Sequence, residues 1–195
     1  MTSAPWLQHY DEGVPASLQP YPDTTLVDAV AEAARDRPHH PALLFKGTVV
    51  TFGELDRLST AVAAELIADG VRKGDRVALL LPNCPQFVIA QFGIWKAGGI
   101  VVPINPIYTE REMALAISES GATMAFALTR LYDRLKAVQP GTSIRRVIAT
   151  NIKEHLPRLQ ALLFTLLKER KDGHRITLAE SADGAAVQRL LDGWP

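Results

Sequence analysis

Apolar and polar positions along this chain follow two periods, which succeed each other in a regular order. Four short apolar runs are typical of buried strands and stand at residues 76–82, 100–105, 122–128 and 144–150. The segments between them carry apolar residues at helical spacing over roughly ten residues. Strands that alternate with helices form βαβ units. The sequence therefore predicts an α/β fold, with a mostly parallel sheet, right-handed crossovers and flanking helices.

Three residue pairs with capping-box spacing mark the starts of predicted helices. These pairs are Thr25 with Asp28, Thr51 with Glu54, and Thr109 with Glu112. Gly70 and Gly121 are placed to end two of these helices. Asn83 is the predicted cap of the helix after residues 76–82, with a proline in its first turn. Residues 41–52 alternate around a Lys-Gly pair, which indicates a short hairpin.

The stretch WKAGGIVVPIN, residues 95–105, predicts a joint between a helix and a strand. Trp95 is expected to be the last large group on a buried helix face. Gly98 and Gly99 are expected to supply a left-handed stop, because a Cβ atom would resist that conformation. Pro103 cannot donate to a ladder, so it belongs at a sheet edge or near a strand end.

The pattern divides the chain at residue 23. Residues 1–23 contain four prolines and show no periodicity, which predicts an extended arm that Trp6, Tyr10 and Tyr21 anchor to a surface. Residues 24–195 are predicted to form the α/β unit. Its regular alternation ends near residue 150, and a leucine-rich helix, a short extended piece and a small helix over 181–195 are expected to follow.

The leucine-rich segment, residues 156–170, allows two interpretations. One stripe holds Leu156, Leu159, Leu163 and Leu166, and it is widened by Leu162, Phe164 and Leu167. Basic residues surround it at Lys153, Arg158, Lys168, Arg170 and Lys171. Packing in a core or interface is the favoured interpretation, because each buried leucine contributes roughly 1.5–3 kcal/mol. The alternative is a basic amphipathic helix that lies on an anionic membrane surface.

Composition narrows the class of protein. The chain has 195 residues with 21 basic and 21 acidic side chains, so its charge gives no reason to expect a nucleic-acid partner. Cys84 is the single cysteine, which excludes an internal disulfide and fits a reducing compartment. The sequence shows neither a secretory signal nor an apolar run near the roughly 20 residues of a membrane span. We expect a cytoplasmic protein, with peripheral membrane contact as an alternative.

Known catalytic and nucleotide-binding motifs are absent from the sequence. The turn after residues 76–82 contains no glycine, and neither a P-loop nor a Gly-x-Ser-x-Gly elbow occurs. Cys84 stands at a helix start, which can activate a thiol, although a buried, inert thiol is the favoured interpretation. The adjacent His39 and His40 lack partners at metal-ligand spacing. We therefore assign no catalytic, cofactor-binding or metal-binding residue.

Three polar residues near the ends of predicted strands or helices are weaker candidates for a functional role. Asn105 and Tyr108 follow a predicted strand, and Lys96 lies near a helix end. In open α/β sheets ligands gather beyond the carboxyl ends of strands, so Asn105 and Tyr108 could line a crevice. A turn built from Asn-Pro is the favoured alternative for the same residues.

Residues 49–127 resemble the opening segment of the adenylate-forming acyl-CoA synthetases, the superfamily that includes luciferases and peptide-synthetase adenylation domains. Three stretches carry the resemblance: VVTFGEL, the run from GVRKGDRVALLLPNCP through WKAGGIVVPINPIYTEREM, and ISESGATMAFA. The aromatic arm and the stretch NIKEHLPRLQALLFTLLKE are most similar to the long-chain fatty acid branch. The resemblance implies a portion of the large N-terminal domain of such an enzyme.

The resemblance also implies an activity and its substrates. A parent long-chain fatty acid–CoA ligase would use ATP and Mg²⁺ to convert a fatty acid into an acyl-adenylate, and coenzyme A would then take the acyl group. The family's phosphate loop with Pro-Lys-Gly and its Tyr-Gly-x-Thr-Glu motif do not occur here, and the chain ends at Pro195. We therefore expect an inactive N-terminal fragment whose partner is the remainder of the ligase and which itself binds no cofactor. The alternative is a non-enzymatic module for homodimerisation or contact with a lipid surface.

Overall fold

Six helices and six strands make up the regular part of the chain in the computed structural model, which describes residues 4–176. The α-helices are α1 (Leu26–Asp36), α2 (Phe52–Ala68), α3 (Pro85–Lys96), α4 (Glu110–Ser120), α5 (Thr129–Val138) and α6 (Arg158–Leu167). The strands are β1 (Pro41–Phe45), β2 (Thr48–Thr51), β3 (Arg76–Leu80), β4 (Ile100–Pro103), β5 (Met124–Leu128) and β6 (Arg146–Thr150). Short 3₁₀ turns lie at Pro5–His9, Gln139–Gly141 and Ile152–His155.

The main sheet has four parallel strands in the order β4-β3-β5-β6, which confirms the predicted α/β fold. Every residue of β5 is buried, and so are the last four residues of β3 and of β6. Right-handed crossovers place α3 on one face and α4 and α5 on the other. In agreement with this arrangement, α3 packs on α2 and α4 packs on α5. Pro103 ends β4, the edge strand, as expected.

The predicted hairpin is confirmed and forms a separate two-stranded sheet. Strands β1 and β2 pair in antiparallel register, with Phe45 opposite Thr48. The two turn residues both have positive φ, 47° at Lys46 and 91° at Gly47. A two-residue turn of this type matches the right-handed twist of its strands, and glycine adopts it without strain.

All three predicted capping boxes form, but the predicted cap at Asn83 is wrong. In each box the threonine side chain accepts a hydrogen bond from the third backbone N–H, at 3.2 to 3.3 Å. Helix α3 is instead preceded by Cys84, whose side chain makes no capping bond, and Asn83 is exposed. Pro85 takes the first helical position, where its fixed φ suits the helix and its missing N–H costs nothing.

The joint between α3 and β4 depends on its two glycines in different ways. Gly98 has a φ of 78°, so the expected left-handed stop is confirmed there. Gly99 lies outside the left-handed region, and the prediction for it is wrong. A Cβ at Gly99 would lie 2.9 Å from Cγ2 of Ile94 and 3.2 Å from its carbonyl oxygen. Gly99 therefore serves close packing of the strand start against α3.

The prediction for Trp95 is also wrong. Its ring is half-buried and packs edge-on against Phe92, with ring centroids 5.2 Å apart. The buried face of α3 consists of smaller residues, namely Pro85, Gln86, Ile89, Ala90, Gly93 and Ile94. Close approach of α2 excludes a side chain at one position on this face, because a Cβ at Gly93 would lie 2.5 Å from Cγ1 of Val62.

The N-terminal arm does not use its aromatic residues as predicted. Trp6, Tyr10 and Tyr21 are exposed by 61%, 45% and 66%, so they do not anchor the arm to the described part of the chain. Pro5–His9 forms a 3₁₀ turn where an extended conformation was expected. The division of the chain at residue 23 stays a prediction, and the small helix expected over 181–195 lies outside the described residues.

The leucine-rich helix was expected to pack in a core or an interface; it does not pack in the core of the described chain, and packing in an interface stays a prediction. Helix α6 contains no buried residue. The residues of β3, β5 and β6 are almost all buried, whereas the edge strand β4 is exposed at both ends. Five exposed large hydrophobic residues lie on α6, and another five lie in the N-terminal arm.

Helices α2 and α3 are closely packed against each other at Gly93. A Cβ at Gly93 would lie 2.5 Å from Cγ1 of Val62 and 3.1 Å from the carbonyl oxygen of Ser59. At the end of α3, Lys96 Nζ donates to Asp56 Oδ1 at 2.7 Å and to Thr60 Oγ1 at 2.8 Å. Close backbone packing at Gly93 and this ion pair fix α3 against α2.

The Gly93→Ala variant should therefore lose stability. Alanine favours a helix interior by up to about 1 kcal/mol over glycine. The contact with Val62 is far below van der Waals distance, and overpacking of this kind costs about 1–3 kcal/mol, so we expect a net loss. Urea denaturation measures the free energy of unfolding. Gly141→Ala is the control, because its Cβ meets no atom within 4 Å; equal stability of both variants would contradict the account of the α2–α3 contact.

Candidate functional site

The strand order locates the place where an open α/β sheet usually binds ligands. From β3 the chain crosses to β4 on one side, and from β5 it crosses to β6 on the other. The two adjacent strands β3 and β5 therefore form a topological switch point, and a crevice is expected outside their carboxyl ends. Cys84 and Gln86 follow β3, and Thr129 follows β5.

The turn between β3 and α3 does not fit a phosphate group. A phosphate site at this position requires glycines that let the backbone approach and free N–H groups at the helix start. The turn instead reads Leu81-Pro82-Asn83-Cys84, and Pro85 at the first helical position has no N–H to donate. Cys84 and Pro85 are both buried.

A cluster of polar side chains occupies the carboxyl edge of the sheet, and we refer to it as the polar plug. Its members are Gln86, Thr129, Thr150, Asn151, Glu154, Glu169 and His174. Gln86 Nε2 donates to the carbonyl oxygen of Asn151 at 2.9 Å. Thr129 Oγ1 and His174 Nδ1 are hydrogen-bonded at 3.0 Å. The segment 151–176 thus fills the carboxyl edge with its own side chains.

The carboxylates of the polar plug have different partners. Glu169 accepts hydrogen bonds at Oε1 from Asn151 Nδ2 at 3.1 Å and from Lys153 Nζ at 2.6 Å. Glu154 accepts from Thr150 Oγ1 at 2.6 Å and from the Asn151 backbone N–H at 2.9 Å. Burial raises the pKa of the Glu154 carboxyl despite those hydrogen bonds. The arrangement stabilises the fold of segment 151–176.

His174 is the one imidazole in this cluster. Burial lowers its pKa, and the positive charge of Arg130 acts in the same direction. The ring also packs edge-on against Phe164, with centroids 5.2 Å apart. A neutral imidazole held between Thr129 and Phe164 is a packing group that ties residue 174 to the sheet.

An apolar cavity of about 420 Å³ lies between the hairpin and the start of α3. Its lining includes Leu43, Phe45, Phe87, Val88 and Cys84. Burial raises the pKa of the Cys84 thiol, which keeps it protonated near neutral pH. The expectation that the Cys84 thiol is buried is confirmed, and its lack of reactivity stays a prediction.

The polar residues singled out in the sequence serve structure. Asn105 is exposed, and its Oδ1 accepts a hydrogen bond from the Ile107 N–H at 3.2 Å while its carbonyl oxygen accepts from Tyr108 at 3.0 Å. These bonds confirm the turn interpretation. A role of Asn105 and Tyr108 in lining a crevice stays a prediction; both residues follow β4, the edge strand next to β3. Lys96 belongs to the contact between α2 and α3.

Residues 4–176 contain neither a cluster of metal ligands nor a helix that could span a membrane. No group of three or more His, Cys, Asp or Glu side chains in this range lies close enough together to hold a metal ion. In the same range, none of the helices combines the length and apolar character that a bilayer span requires.

Sequence reasoning missed the polar plug as a unit. Gln86 and Asn151 are 65 positions apart, and Thr129 and His174 are 45 positions apart. One local signal existed, because Gln86 interrupts an otherwise apolar helix face. A buried polar residue needs a partner, so this interruption could have indicated a distant contact.

Comparisons with known proteins agree with the fold. Residues 30–187 match the family described as AMP-binding enzyme. The long-chain-fatty-acid–CoA ligase of Bacillus subtilis (strain 168) is 34% identical over 167 residues, which cover 86% of this chain and 30% of that protein. The protein of the same name from Salmonella typhimurium is 40% identical over 152 residues, covering 77% of this chain and 27% of that protein.

A solved structure of a protein with the same name has a similar fold. The long-chain-fatty-acid–CoA ligase from Archaeoglobus fulgidus superposes with a TM-score of 0.62 at 27% identity, and the match covers 72% of this chain and 30% of that one. The chain thus spans between 27% and 30% of the length of these relatives.

The raised pKa of Glu154 predicts how the stability of the fold depends on pH. The folded state binds the proton more tightly than the unfolded chain, so the stability that the proton contributes falls as pH rises above the ordinary value of 4.5. Glu154→Gln removes this dependence. We expect its free energy of unfolding, relative to the unchanged chain, to increase as the pH rises above 4.5. Urea titrations at several pH values measure it.

Glu119→Gln is the control, because Glu119 is exposed on α4. This variant should keep the pH dependence of the unchanged chain. If Glu154→Gln showed a constant difference from the unchanged chain over the whole range, a raised pKa of the Glu154 carboxyl would be contradicted.

Proposed function

This chain belongs to the AMP-binding enzyme family, and on that premise we propose that it is the N-terminal portion of a long-chain fatty acid–CoA ligase. The observation that carries the proposal is the family match over residues 30–187, together with ligases of that name among its relatives. In the proposed parent reaction ATP activates the carboxyl group of a fatty acid, and coenzyme A then takes the acyl group as a thioester.

The described residues do not fit the ATP and Mg²⁺ that the family implies. The β3–α3 turn has no glycine, and Pro85 removes an N–H donor at the helix start. The carboxyl edge of the sheet is filled by the polar plug, whose members bond to each other. In this proposal residues 4–176 therefore hold neither the ATP phosphates nor the Mg²⁺ ion.

In this proposal the chain contributes a scaffold to the ligase. The parallel sheet and its helices form a core in which the side chains of β3 and β5 are almost fully buried. The parent's fatty acid, ATP, Mg²⁺ and coenzyme A would meet residues that this chain does not supply. We infer that the 195-residue chain alone makes no acyl-CoA.

A test of the proposal compares the chain alone with a chimera. With palmitate, ATP, Mg²⁺ and coenzyme A, the chain alone should form no acyl-CoA above background. A chimera of the Bacillus subtilis ligase that carries residues 30–187 of this chain in place of the matching segment should form it. Chromatography of the acyl-CoA product measures both reactions.

The matched control is the same chimera with Gly93→Trp, which should not fold because Val62 and Ser59 leave no room at that position. Acyl-CoA formation by the chain alone would contradict its proposed dependence on the remainder of a ligase. A chimera that folds with the circular dichroism of the parent but makes no acyl-CoA would contradict the assignment to this enzyme class.

A further inference from the structure

His174 connects the last residues that the structure describes to the carboxyl end of β5. We refer to these residues, 169–176, as the strap. The His174 side chain is buried, and its Nδ1 is hydrogen-bonded to Thr129 Oγ1 at 3.0 Å. Thr129 is the first residue of α5 and follows β5 directly, beside the switch point of the sheet. The strap therefore covers the carboxyl edge at the place where β5 ends.

The strap is attached at its start and at its end. At the start, Glu169 accepts hydrogen bonds from Asn151 Nδ2 at 3.1 Å and from Lys153 Nζ at 2.6 Å. At the end, the His174 ring contacts Thr129, and Ile176 beyond it is half-buried against the core. Histidine is the side chain whose ordinary pKa lies closest to neutral pH. The attachment at the end is thus the one that a proton can change under mild conditions.

The surroundings of His174 disfavour a charged ring. Phe164 packs edge-on against the ring, with centroids 5.2 Å apart. Burial lowers the pKa of His174, and the positive charge of Arg130 on α5 acts in the same direction. The ring also lies at the N-terminus of α5, which is the positive end of the helix dipole. An imidazolium at this position would face both a cation and the dipole.

Two carboxylates near His174 favour the charged ring, but both belong to the strap. They are Asp172, which is half-buried, and Glu169, which is paired with Lys153 at 2.6 Å. Arg130 belongs to α5 instead. A proton on His174 therefore adds attraction within the strap and repulsion between the strap and α5.

We propose that the strap is a pH-sensitive closure of the carboxyl edge, which opens when the His174 ring takes up a proton. In the closed form the neutral ring lies between Thr129 and Phe164. The Thr129 hydroxyl can also accept a hydrogen bond from a protonated ring, so opening is driven by the charge, which water solvates better. Opening uncovers the end of β5 at the switch point, where open α/β sheets bind ligands. The proposal is independent of the ligase reaction proposed above.

The direction of the pH dependence follows from the surroundings of the ring. His174 binds a proton more tightly in the open form than in the closed form. The closed form is therefore most stable above the ordinary pKa of 6.5, and it loses stability as the pH falls below that value. Because one proton is taken up, the equilibrium constant for opening rises by at most about tenfold for each pH unit.

Hydrogen exchange of the 195-residue chain, measured by mass spectrometry at several pH values, tests the proposal. Each rate is divided by the intrinsic exchange rate at the same pH, so that the ratio reports opening. We expect opening of residues 169–176 to increase as the pH falls below 6.5, while β3 and β5 stay protected. An NMR titration of the His174 ring should give a pKa below 6.5.

The variant His174→Gln should abolish the pH dependence of strap opening. Glutamine can still form a hydrogen bond with Thr129, but it takes up no proton. The matched control is His39→Gln, the same change at an exposed histidine between α1 and β1. This control should keep the pH dependence of the unchanged chain.

A second pair of variants addresses the positive charge beside the ring. Arg130→Gln should raise the pKa of His174 and weaken the pH dependence of opening, because the repulsion is removed. Arg130→Lys keeps the charge and should keep both properties. Arg130 is exposed, so both variants should fold, and circular dichroism checks this.

Four outcomes would overturn the proposal. The first is an opening ratio of the strap that stays constant as the pH falls. The second is opening at low pH that His174→Gln retains, which would assign it to other groups. The third is an equal rise in exchange of β3 and β5, which would mean that the whole chain unfolds. The fourth, which decides if His174→Gln does not fold, is an equal pKa of His174 in Arg130→Gln and Arg130→Lys.

Discussion

Burial of the parallel sheet on both faces is the constraint on which the rest of the structure depends. A parallel sheet exposes no polar face to water, so helices must cover both sides. The central residues Val77, Leu79 and Ala125 are fully buried. The close contact at Gly93 and the ion pair of Lys96 with Asp56 follow from this need, because they hold α3 and α2 together over the sheet.

The same constraint explains the polar plug. Strands β5 and β6 end in buried surroundings, where Thr129, Thr150 and Asn151 carry polar groups that need partners. Segment 151–176 supplies several of those partners through Glu154, Glu169 and His174. Attachment of this segment to the sheet edge leaves α6 outside the core. The buried polar contacts and the exposed leucines of α6 are therefore two consequences of one arrangement.

Local signals in the sequence were sufficient for much of the fold. Capping boxes such as Thr51 with Glu54, and the apolar runs of the strands, depend on residues close together along the chain. The errors arose where contacts between residues far apart in the sequence determine how a side chain is placed. The size of Trp95 predicted that it ends the buried face of α3, but Ile94 is the last buried residue of that helix. The outward setting of the leucines on α6 depends on Lys153, Glu169 and His174, which periodicity alone does not reveal.

Native-state hydrogen exchange, followed by mass spectrometry, tests most directly whether the parallel sheet is the stable core and α6 lies outside it. The account predicts that amides of β3 and β5 exchange only through global unfolding, whereas those of α6 exchange far faster through local opening. Amides of residues 151–154 should lie between these limits, because buried polar contacts hold them to the sheet. Protection of α6 equal to that of β3 and β5 would contradict the account, since it would require the exposed leucines of α6 to be covered within the chain.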